Sequence, residues 1–404
     1  MNILMVSDVY FPRVNGVATS IKTFSHSLRQ AGHRVILVAP DYGESDRVVH
    51  DTENDIYRIP ARRLILDKED RLIKGAYFDE LLAHLRQERI DLVHIHTPFR
   101  AHYWGVRLAR KLGCACVATY HTFFEEYLHH YIPFLPRVWL RAAARYFTVS
   151  QSHQVRKLIV PSTAMHALLQ DYGVDNTMTV IPTGLDLSQI PEADGQRFRA
   201  SHGIDPARPV IGHIGRIAHE KNIAFLLGVL KALQRQTPDI LLLIAGEGPA
   251  KKSLIRRAAR LGLAGNILFV GYLSREQALW DCYRAADVFV FSSRTETQGL
   301  VLLEAMAVGV PVVSTAVLGT RDILAPQRGA LIARETVEDF SQKVKLLLDN
   351  RLLRENKARE GRAYVHEWSD ISMARRLTEF YAQILEQDSV TPSDASPLLA
   401  ESTS

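Results

Sequence analysis

Short apolar segments alternate with longer amphipathic segments along the first half of the chain. The apolar runs predict strands, and the runs with apolar residues three and four apart predict helices. The predicted strands are NILMVSD, RVILVAP, DLVHIHT and ACVATYHT, and the predicted helices cover 19–31, 77–89 and 101–112. Because the strands are apolar throughout, the alternation is typical of a parallel sheet covered by helices on both faces.

The alternation breaks near 182–190, in the Pro- and Gly-rich stretch PTGLDLSQIP, and then starts again. The second set of predicted strands is PVIGHIGR, ILLLIAG, ILFVGYL, DVFVFSS and PVVST, and the helices between them cover 220–235, 250–261, 274–285 and 299–308. A last helical pattern over 369–387 is followed by no strand.

These patterns predict an α/β protein with two doubly wound, Rossmann-like domains, and 404 residues are enough for two cores. The predicted domains are 1–186 and 187–368. We expect the helix over 369–387 to pack back toward the first domain. The Ser-, Pro- and Thr-rich tail 388–404 is predicted to be disordered.

Composition narrows the class of protein. The chain is 47% hydrophobic and 23% charged, as in a soluble globular protein, and its net charge of +5 gives no indication of nucleic-acid binding. The positive charge is local, because residues 92–170 carry nine Lys or Arg against two Glu. Three cysteines give no disulfide framework, and neither a signal peptide nor a transmembrane span is predicted, so we expect a cytoplasmic location.

Strand-to-helix turns in the second half carry the candidate chemistry, because open α/β sheets bind ligands beyond the carboxyl ends of their strands. In GHIGRIAHEKN, Arg216 and Lys221 follow a buried strand. They could straddle a diphosphate or be two solvated surface cations, and the residues alone do not decide between these interpretations. The turns AGEGPA and FVGYL give weaker signals, and a connecting loop explains AGEGPA equally well.

The stretch FVFSSRTETQGLVLLEAMA combines three features. The main-chain N–H groups of Gly299, Leu300 and Val301 begin a predicted helix and can hold an anion. Glu304 lies in the apolar pattern of that helix, where a carboxylate needs hydrogen-bond donors, and a ribose diol offers two. Glu296 lies in the loop and could bind another hydroxylated group. A Glu favoured by the helix dipole would explain Glu304 alone, but the combination favours a nucleotide-sugar site.

The first half has weaker candidates. In SDVYFPRVNGVATS, the pair Asn15–Gly16 could hold a phosphate at a helix start, although the motif alone favours a plain tight turn. His96 and His121 each follow a predicted strand. A metal pair is improbable without a carboxylate at ligand spacing. Contact with an acceptor hydroxyl is the better interpretation for His121, and packing is as good an interpretation for His96.

The segment PRVWLRAAARYF places Arg137, Arg141 and Arg145 on one stripe of a predicted helix, with Trp139, Leu140, Tyr146 and Phe147 as apolar bulk. Such a helix can lie on an anionic membrane surface or present a solvated basic face. The aromatic loop before it and the local positive charge favour a membrane surface, contacted near 123–157.

Together these motifs resemble the retaining glycosyltransferases of GT-B fold called family 4, and the resemblance covers residues 1 to about 387. Glu296 and Glu304 form the family's E-x7-E pattern, GRIAHEKN matches its phosphate-binding pair, and PRVNGV matches its N-terminal donor loop with Gly16.

The resemblance implies a role for each matched residue. Arg216 and Lys221 would bind the donor diphosphate together with the amides of Gly299 to Val301. Glu296 would contact the transferred sugar, Glu304 the ribose, and the backbone near Tyr272 the base. His121 would lie at the reaction centre beside the acceptor. The resemblance implies no metal and no cofactor beyond the nucleotide-sugar donor.

A narrower similarity, to bacterial diacylglycerol glucosyltransferases, is carried by YRIPARRLILDKEDR, YHTFFEEYLHHYIPFLP and VSQSHQVRKLIVPS. It implies transfer of glucose from UDP-glucose to a membrane lipid at the inner face of the cell membrane. There are two alternatives: a GDP-mannose-dependent mannosyltransferase, and a glycosyltransferase that acts on a soluble or cell-envelope glycan. An epimerase or hydrolase on the same scaffold and a non-catalytic membrane-binding protein are further classes. Gln298 stands where many relatives carry an aromatic residue, so donor choice does not carry over.

Overall fold

The computed structural model describes residues 1–13, 15–43, 45–63, 71–121 and 137–390, and for Arg137 and residues 388–390 it describes the main chain alone. The elements of the N-terminal half are β1 (Asn2–Val6), α1 (Gly16–Gln30), β2 (Arg34–Pro40), β3 (Val49–Asp51), β4 (Ile56–Ile59), β5 (Ala61–Arg63), β6 (Arg71–Ile73), α2 (Phe78–Leu85), β7 (Leu92–Ile95), α3 (Arg100–Leu112), β8 (Ala115–Thr119), α4 (Arg137–Ser152), β9 (Lys157–Val160), α5 (Thr163–Asp171) and β10 (Met178–Val180).

The C-terminal half consists of α6 (Gly195–Ser201), β11 (Val210–Ile214), α7 (Ile223–Gln234), β12 (Leu241–Ala245), α8 (Lys251–Arg260), β13 (Ile267–Gly271), α9 (Gln277–Arg284), β14 (Val288–Phe291), α10 (Leu300–Ala307), β15 (Val312–Ser314), α11 (Thr320–Leu324), β16 (Ala330–Ile332), α12 (Val337–Asp349), α13 (Arg351–Tyr364) and α14 (Asp370–Val390).

Each half builds one large open sheet whose strand order reverses at its centre, and β5 and β6 form a separate two-stranded antiparallel sheet in the first half. The first sheet has the order β10-β9-β8-β7-β1-β2-β4-β3 and is parallel except for the edge pair β3–β4. The second has the order β13-β12-β11-β14-β15-β16 and is parallel throughout. The order reverses between β1 and β7 and between β11 and β14, and such reversals place ligand crevices at the carboxyl ends of the flanking strands. The predicted doubly wound α/β class is confirmed.

Apolar packing covers both faces of each sheet. In β1, Leu4 and Val6 join the core on one face, while Ile3 and Met5 join the core on the other, and all four are fully buried. Burying one such side chain contributes roughly 1.5–3 kcal/mol. A strand that is apolar on both faces is therefore stable only under two layers of helix, which is why its sequence shows no polar alternation.

Helix α14 lies against the first sheet although it follows the second in sequence. It packs beside α1, and Leu377, Tyr381 and Ile384 enter the same core as Ile21. At its start, Asp370 accepts a hydrogen bond from Ser27 Oγ at 2.6 Å. The helix runs to Val390, beyond the predicted end at 387, and the rest of the predicted disordered tail lies outside the described residues.

The chain crosses between the halves at two adjacent segments. Leu185 N–H donates to the Trp368 carbonyl at 2.8 Å, and Asp370 N–H donates to the Leu185 carbonyl at 3.1 Å. Elsewhere between the halves, Asp322 on α11 accepts two hydrogen bonds from Thr163 at the start of α5, at 2.7 Å from the main-chain N and 2.5 Å from Oγ1. Among the described residues, none of the helices has both the length and the low polarity that crossing a bilayer requires.

Candidate active site

Two loops meet at the carboxyl edge of the second sheet, where its strand order reverses. The loop after β11 carries Arg216 and Lys221, and the loop after β14 carries Glu296. Ser292 Oγ donates to the Asn222 carbonyl at 3.1 Å and joins the two loops. The sequence-predicted diphosphate and sugar residues therefore lie on neighbouring loops, as the topology requires.

Lys221 and Glu296 form an ion pair, between Nζ and Oε1, and each side chain is about one-fifth exposed (21% and 20%). Lys221 lies in a 3-10 turn, His219–Lys221, which ends before α7 begins at Ile223. The prediction that Lys221 belongs to the first residues of the helix is therefore wrong. Arg216, by contrast, is exposed at the end of its strand.

The AGEGPA loop supports the turn that carries Arg216. A Cβ on Gly246 would lie 2.0 Å from the Gly215 carbonyl oxygen, and one on Gly248 would lie 2.3 Å from that of Ile217. Both glycines have positive φ, at +135° and +157°. Ile217 N–H also donates to the Glu247 carbonyl at 2.9 Å. These glycines are required for the close approach of two loops, which accounts for the motif without a ligand.

Helix α10 begins at Leu300, directly after Gly299, which adopts the left-handed conformation with φ 99°. A Cβ on Gly299 would lie 2.9 Å from Thr320 Cγ2, so both conformation and space favour glycine here. The N–H groups of Leu300 and Val301 lie in the first helical turn, where no preceding helical carbonyl can accept from them. Their role as an anion site stays a prediction.

Glu304 is 2% exposed, and protein groups bind both of its carboxylate oxygens. Tyr283 O–H donates to Oε2 at 2.6 Å, and Arg275 Nη2 donates to Oε1 at 2.7 Å. The sequence interpretation that a ribose is needed to satisfy this buried carboxylate is therefore wrong, because two side chains already do so. The carboxylate in turn raises the pKa of Arg275, and burial followed by the charge of Glu304 raises the pKa of Tyr283 well above its usual value.

Tyr272 follows β13 immediately and lies at the same carboxyl edge of the sheet. Its side chain is 59% exposed, so the surface that the sequence assigns to the base is open to solvent. The preceding Gly271 has φ 79°. The contact of Tyr272 with a base stays a prediction.

Three histidines lie together near the carboxyl edge of the first sheet, and of these His94 and His96 are buried and His121 is partly exposed. His96 Nδ1 lies 3.0 Å from His121 Nε2, and the rings of His94 and His96 are 4.0 Å apart. His94 is bonded to Thr119 Oγ1 and Tyr381 O–H, each at 2.6 Å. Burial lowers the pKa of His121 to about 4, so its imidazole is neutral near pH 7, with one ring nitrogen engaged by His96.

Asp8 also lies at this edge, two residues after the end of β1, and the sequence analysis missed it. It accepts from Thr97 Oγ1 at 2.8 Å and from the Ala101 N–H at 3.0 and 3.1 Å, and so caps the start of α3. Burial is the main cause that raises its pKa to about 6. An Asp after the first strand is visible in the sequence, but its hydrogen-bond partners lie 89 and 93 residues away, so local patterns do not reveal them.

Gly16 is the first residue of α1. Asn15 caps the helix with extended backbone (φ −155°), and its side chain accepts from Ala18 N–H at 2.8 Å. Neither residue adopts the left-handed conformation, and the pair forms the start of the helix. Within the described part of the chain, a Cβ on Gly16 would meet no atom within 4 Å, so packing against these residues does not require glycine there.

Thr297 and Gln298 both bond across from the second half to the first. Thr297 Oγ1 donates to the His121 carbonyl at 3.1 Å. Gln298 is buried, and its side-chain amide donates to the Thr183 carbonyl at 2.7 Å and accepts from the Thr183 N–H at 2.8 Å. The Gln298 side chain therefore links the loop after β14 to the segment that crosses between the halves. Both ends of its amide are hydrogen-bonded to main-chain groups.

Helix α4 presents three large apolar side chains to solvent: Val138, Trp139 and Tyr146 are 77%, 73% and 78% exposed. Leu140 is 4% exposed and faces the core, which corrects its assignment to the predicted surface. Arg145 Nε donates to the Tyr172 carbonyl at 2.6 Å, at the end of α5. Residues 122–136, which hold much of the predicted basic aromatic segment, lie outside the described residues.

Among the described residues, no group of three or more His, Cys, Asp or Glu side chains could hold a metal ion. Cys114, Cys116 and Cys282 are free thiols.

Two family models cover most of the chain. Glycosyltransferase Family 4 matches residues 14–189, and Glycosyl transferases group 1 matches residues 194–364. The chain is 33% identical over 322 residues to the alpha-monoglucosyldiacylglycerol synthase of Streptococcus pneumoniae, across 78% of this chain and 71% of that protein. The chain belongs to glycosyltransferase family 4. It is a nucleotide-sugar-dependent hexosyltransferase of GT-B fold.

Another relative is named for its nucleotide-sugar donor. A GDP-mannose-dependent alpha-mannosyltransferase of Mycobacterium tuberculosis is 30% identical over 341 residues, across 82% of this chain and 83% of that protein. The sucrose-phosphate synthase structure from Thermosynechococcus elongatus superposes with a TM-score of 0.77 at 19% identity, over 96% and 99% of the two chains. Anabaena HepE in complex with UDP superposes with a TM-score of 0.74 at 16% identity, over 95% and 100%. These structures show that the glycosyltransferase fold is shared.

Proposed function

We propose that this glycosyltransferase moves glucose from UDP-glucose to a membrane-lipid acceptor such as diacylglycerol, with retention of configuration. The bond from Thr297 to the His121 carbonyl carries the proposal, because it brings the loop of Glu296 against the strand end of His121. Similarity to alpha-monoglucosyldiacylglycerol synthases of Streptococcus pneumoniae and Acholeplasma laidlawii, at 33% and 28% identity, supports the choice of sugar and acceptor.

In the proposed donor complex, Arg216 and Lys221 bind the diphosphate together with the first amides of α10. Lys221 then exchanges its bond to Glu296 for one to phosphate, which leaves Glu296 free to accept from hydroxyls of the hexose. A charge-assisted bond to phosphate compensates for the ion pair that is lost. Glu304 accepts from the ribose, Tyr272 lies beside the base, and the open surface at Gly16 lets the donor approach the start of α1.

The proposed chemistry proceeds on one face of the sugar. The bond from the anomeric carbon to the phosphate oxygen breaks, and its electron pair stays on the diphosphate. The acceptor oxygen bonds to the same face, and its proton passes to the departing phosphate oxygen. Arg216, Lys221 and the start of α10 stabilise the charge that develops on that phosphate. His121, neutral at pH 7, orients the acceptor hydroxyl at the reaction centre.

Helix α4 supplies the proposed membrane contact. Val138, Trp139 and Tyr146 are exposed along one side of the helix, and Arg141 is exposed beside them. Aromatic and apolar side chains enter the interfacial region of a bilayer, while arginines pair with anionic lipid headgroups. The enzyme would thus be peripheral on the cytoplasmic face of the membrane, where a lipid acceptor can reach His121.

A GDP-mannose-dependent mannosyltransferase is the second candidate. The relative from Mycobacterium tuberculosis is 30% identical over 82% of this chain, and it supports this candidate almost as strongly as the diacylglycerol synthases support the first candidate. Transfer to a soluble or cell-envelope glycan in place of a lipid is a further alternative for the acceptor.

The purified enzyme should be incubated with UDP-glucose, UDP-galactose or GDP-mannose and with vesicles that contain diacylglycerol, and the lipids analysed by mass. We expect a monohexosyl diacylglycerol with UDP-glucose, and loss of product in Lys221→Met. Product from GDP-mannose alone would instead establish the second candidate. Transfer only to water-soluble glycans would contradict the lipid acceptor.

Vesicle flotation tests the membrane contact. The triple variant Val138→Ser, Trp139→Ser, Tyr146→Ser should lose binding to vesicles rich in phosphatidylglycerol. The control is Leu352→Ser, Ile371→Ser, because these side chains are also exposed, at 68% and 70%, but lie on other helices. Equal flotation of the triple variant and the control would remove α4 from the membrane contact.

A further inference from the structure

We propose that Arg275 and Tyr283 are positioning residues that orient Glu304 toward the donor ribose, and that Arg275 thereby makes the enzyme select a ribonucleotide over a 2′-deoxyribonucleotide. The inference rests on the proposed nucleotide-sugar donor and extends it to two residues that belong to no recognised motif of this chain.

The three side chains come from three different elements. Arg275 lies between β13 and α9, Tyr283 lies on α9, and Glu304 lies on α10. Arg275 Nη2 lies 2.7 Å from Oε1 of the carboxylate, and the Tyr283 oxygen lies 2.6 Å from Oε2. Since each oxygen is fixed by a separate donor, the carboxylate plane cannot turn without breaking one of the two bonds.

The two donors also differ in burial. Tyr283 is fully buried, and its pKa is raised well above the usual value, so its hydroxyl keeps the proton that it donates. The Arg275 side chain is 36% exposed, and its guanidinium lies 5.7 Å from the centre of the Trp280 ring. Tyr283 thus anchors Glu304 from the core, whereas Arg275 approaches it from the side that solvent, and therefore a ligand, can reach.

The carboxylate keeps acceptor capacity for a ligand. Its two oxygens offer about four lone-pair sites, of which Arg275 and Tyr283 use one each. The remaining sites can accept from the vicinal 2′ and 3′ hydroxyls of a ribose. A site built to accept from a hydroxyl discriminates against the analogue that lacks it, because a buried acceptor is then left unpaired.

Arg275 also stabilises the charge on which this discrimination depends. A carboxylate that is 2% exposed is costly without a counter-charge, and Arg275 supplies that charge before the donor arrives. Without Arg275, the carboxyl group can turn, and this change removes an acceptor from the ribose.

The test compares the binding of UDP with that of 2′-deoxy-UDP, and of GDP with 2′-deoxy-GDP, by titration calorimetry. The wild-type enzyme should prefer the ribonucleotide by about tenfold or more. Arg275→Met should reduce that preference to within about threefold, and Tyr283→Phe should reduce it less. In the Glu304→Gln background, Arg275→Met should cause no further change, because it acts through Glu304.

Arg284→Met is the matched control. Arg284 is an exposed arginine in the last turn of α9, and it lines a groove beside Ala286 and Pro311, at the amino ends of β14 and β15. The Arg284→Met variant should keep the wild-type preference for the ribonucleotide. Arg275→Lys, which keeps the charge, should retain part of the preference, and the melting temperature of each variant shows whether it is folded.

Two results would overturn the role of Arg275. One is a ribose preference in Arg275→Met equal to that of Arg284→Met. The other is tighter nucleotide binding by Arg275→Met than by the wild-type enzyme, which would make Arg275 a competitor of the ribose. Failure of the wild-type enzyme to bind any of the four nucleotides would refute the proposed donor itself.

Discussion

Thr297 donates its hydroxyl to the main-chain carbonyl of His121 at 3.1 Å, and this bond joins the second sheet to the first. Behind Thr297, the Gly319 N–H donates to the Glu296 carbonyl at 2.9 Å. A Cβ on Gly319 would lie 1.9 Å from the Thr297 carbonyl oxygen, so only glycine permits this approach. The segment 296–297 is therefore held from both sides, and the position of Glu296 depends on the position of His121.

Replacing Thr297 with Val should lower kcat/KM about three- to tenfold, because a neutral hydrogen bond contributes roughly 0.5–1.5 kcal/mol. Thr297→Ser keeps the hydroxyl and should remain near wild-type activity. Steady-state kinetics with the identified donor measure both variants. Equal losses in the two would attribute the effect to packing of the Thr methyl group and not to the bond.

Replacing either partner of the ion pair between Lys221 and Glu296 should have different effects on donor binding and on turnover. Lys221→Met removes a cation from the proposed diphosphate site and should weaken UDP binding about 10- to 100-fold. Glu296→Gln removes the competitor of the phosphate, so UDP binding should stay within about threefold while kcat falls at least about 100-fold. Calorimetry with UDP, together with turnover, measures the two effects. Parallel losses of UDP affinity in both variants would contradict the assigned roles.

Sequence patterns located the central strands well and the edge strands poorly. The strand over Arg34–Pro40 was predicted at its observed bounds, because a fully buried strand must be apolar on both faces. Strands β3, β4, β5, β6, β9, β10 and β16 were missed. They are only three or four residues long, and their pairing depends on neighbours that periodicity does not reveal.

The same limit applies to the site. The motifs containing Lys221, Glu296 and Glu304 were visible as local patterns at the ends of strands. Arg275 and Tyr283 were not, because they precede Glu304 by 29 and 21 residues and meet it only after β13, α9 and α10 have packed. The sequence showed that Glu304 needs hydrogen-bond donors, but it could not show that the protein supplies two of them.

Gln298→Ala should destabilise the protein without changing donor preference. The Gln298 amide satisfies both the N–H and the carbonyl of Thr183 in a buried setting, and each group left unpaired costs about 1–3 kcal/mol. We expect a loss of about 2–5 kcal/mol in the free energy of unfolding. Gln342→Ala, at an exposed position of α12, is the control and should change stability by less than about 0.5 kcal/mol. A shift in donor preference with unchanged stability would contradict this assignment.

Acidification should destabilise the enzyme between about pH 6.5 and 4. Burial lowers the pKa of His94 to about 3, of His121 to about 4, and of His96 well below 6.5, so in this range the unfolded chain binds protons that the folded chain does not. Each histidine then removes roughly 1.4 kcal/mol of stability per pH unit below 6.5. The raised pKa of Asp8, about 6, acts in the opposite direction and offsets part of this loss.

Urea unfolding at pH 7.5, 6.5 and 5.5 measures how steeply the free energy of unfolding falls with falling pH. His94→Gln should reduce this slope, and His26→Gln, at an exposed position, should leave it unchanged. Constant or rising stability on acidification would show that these histidines accept protons in the folded state.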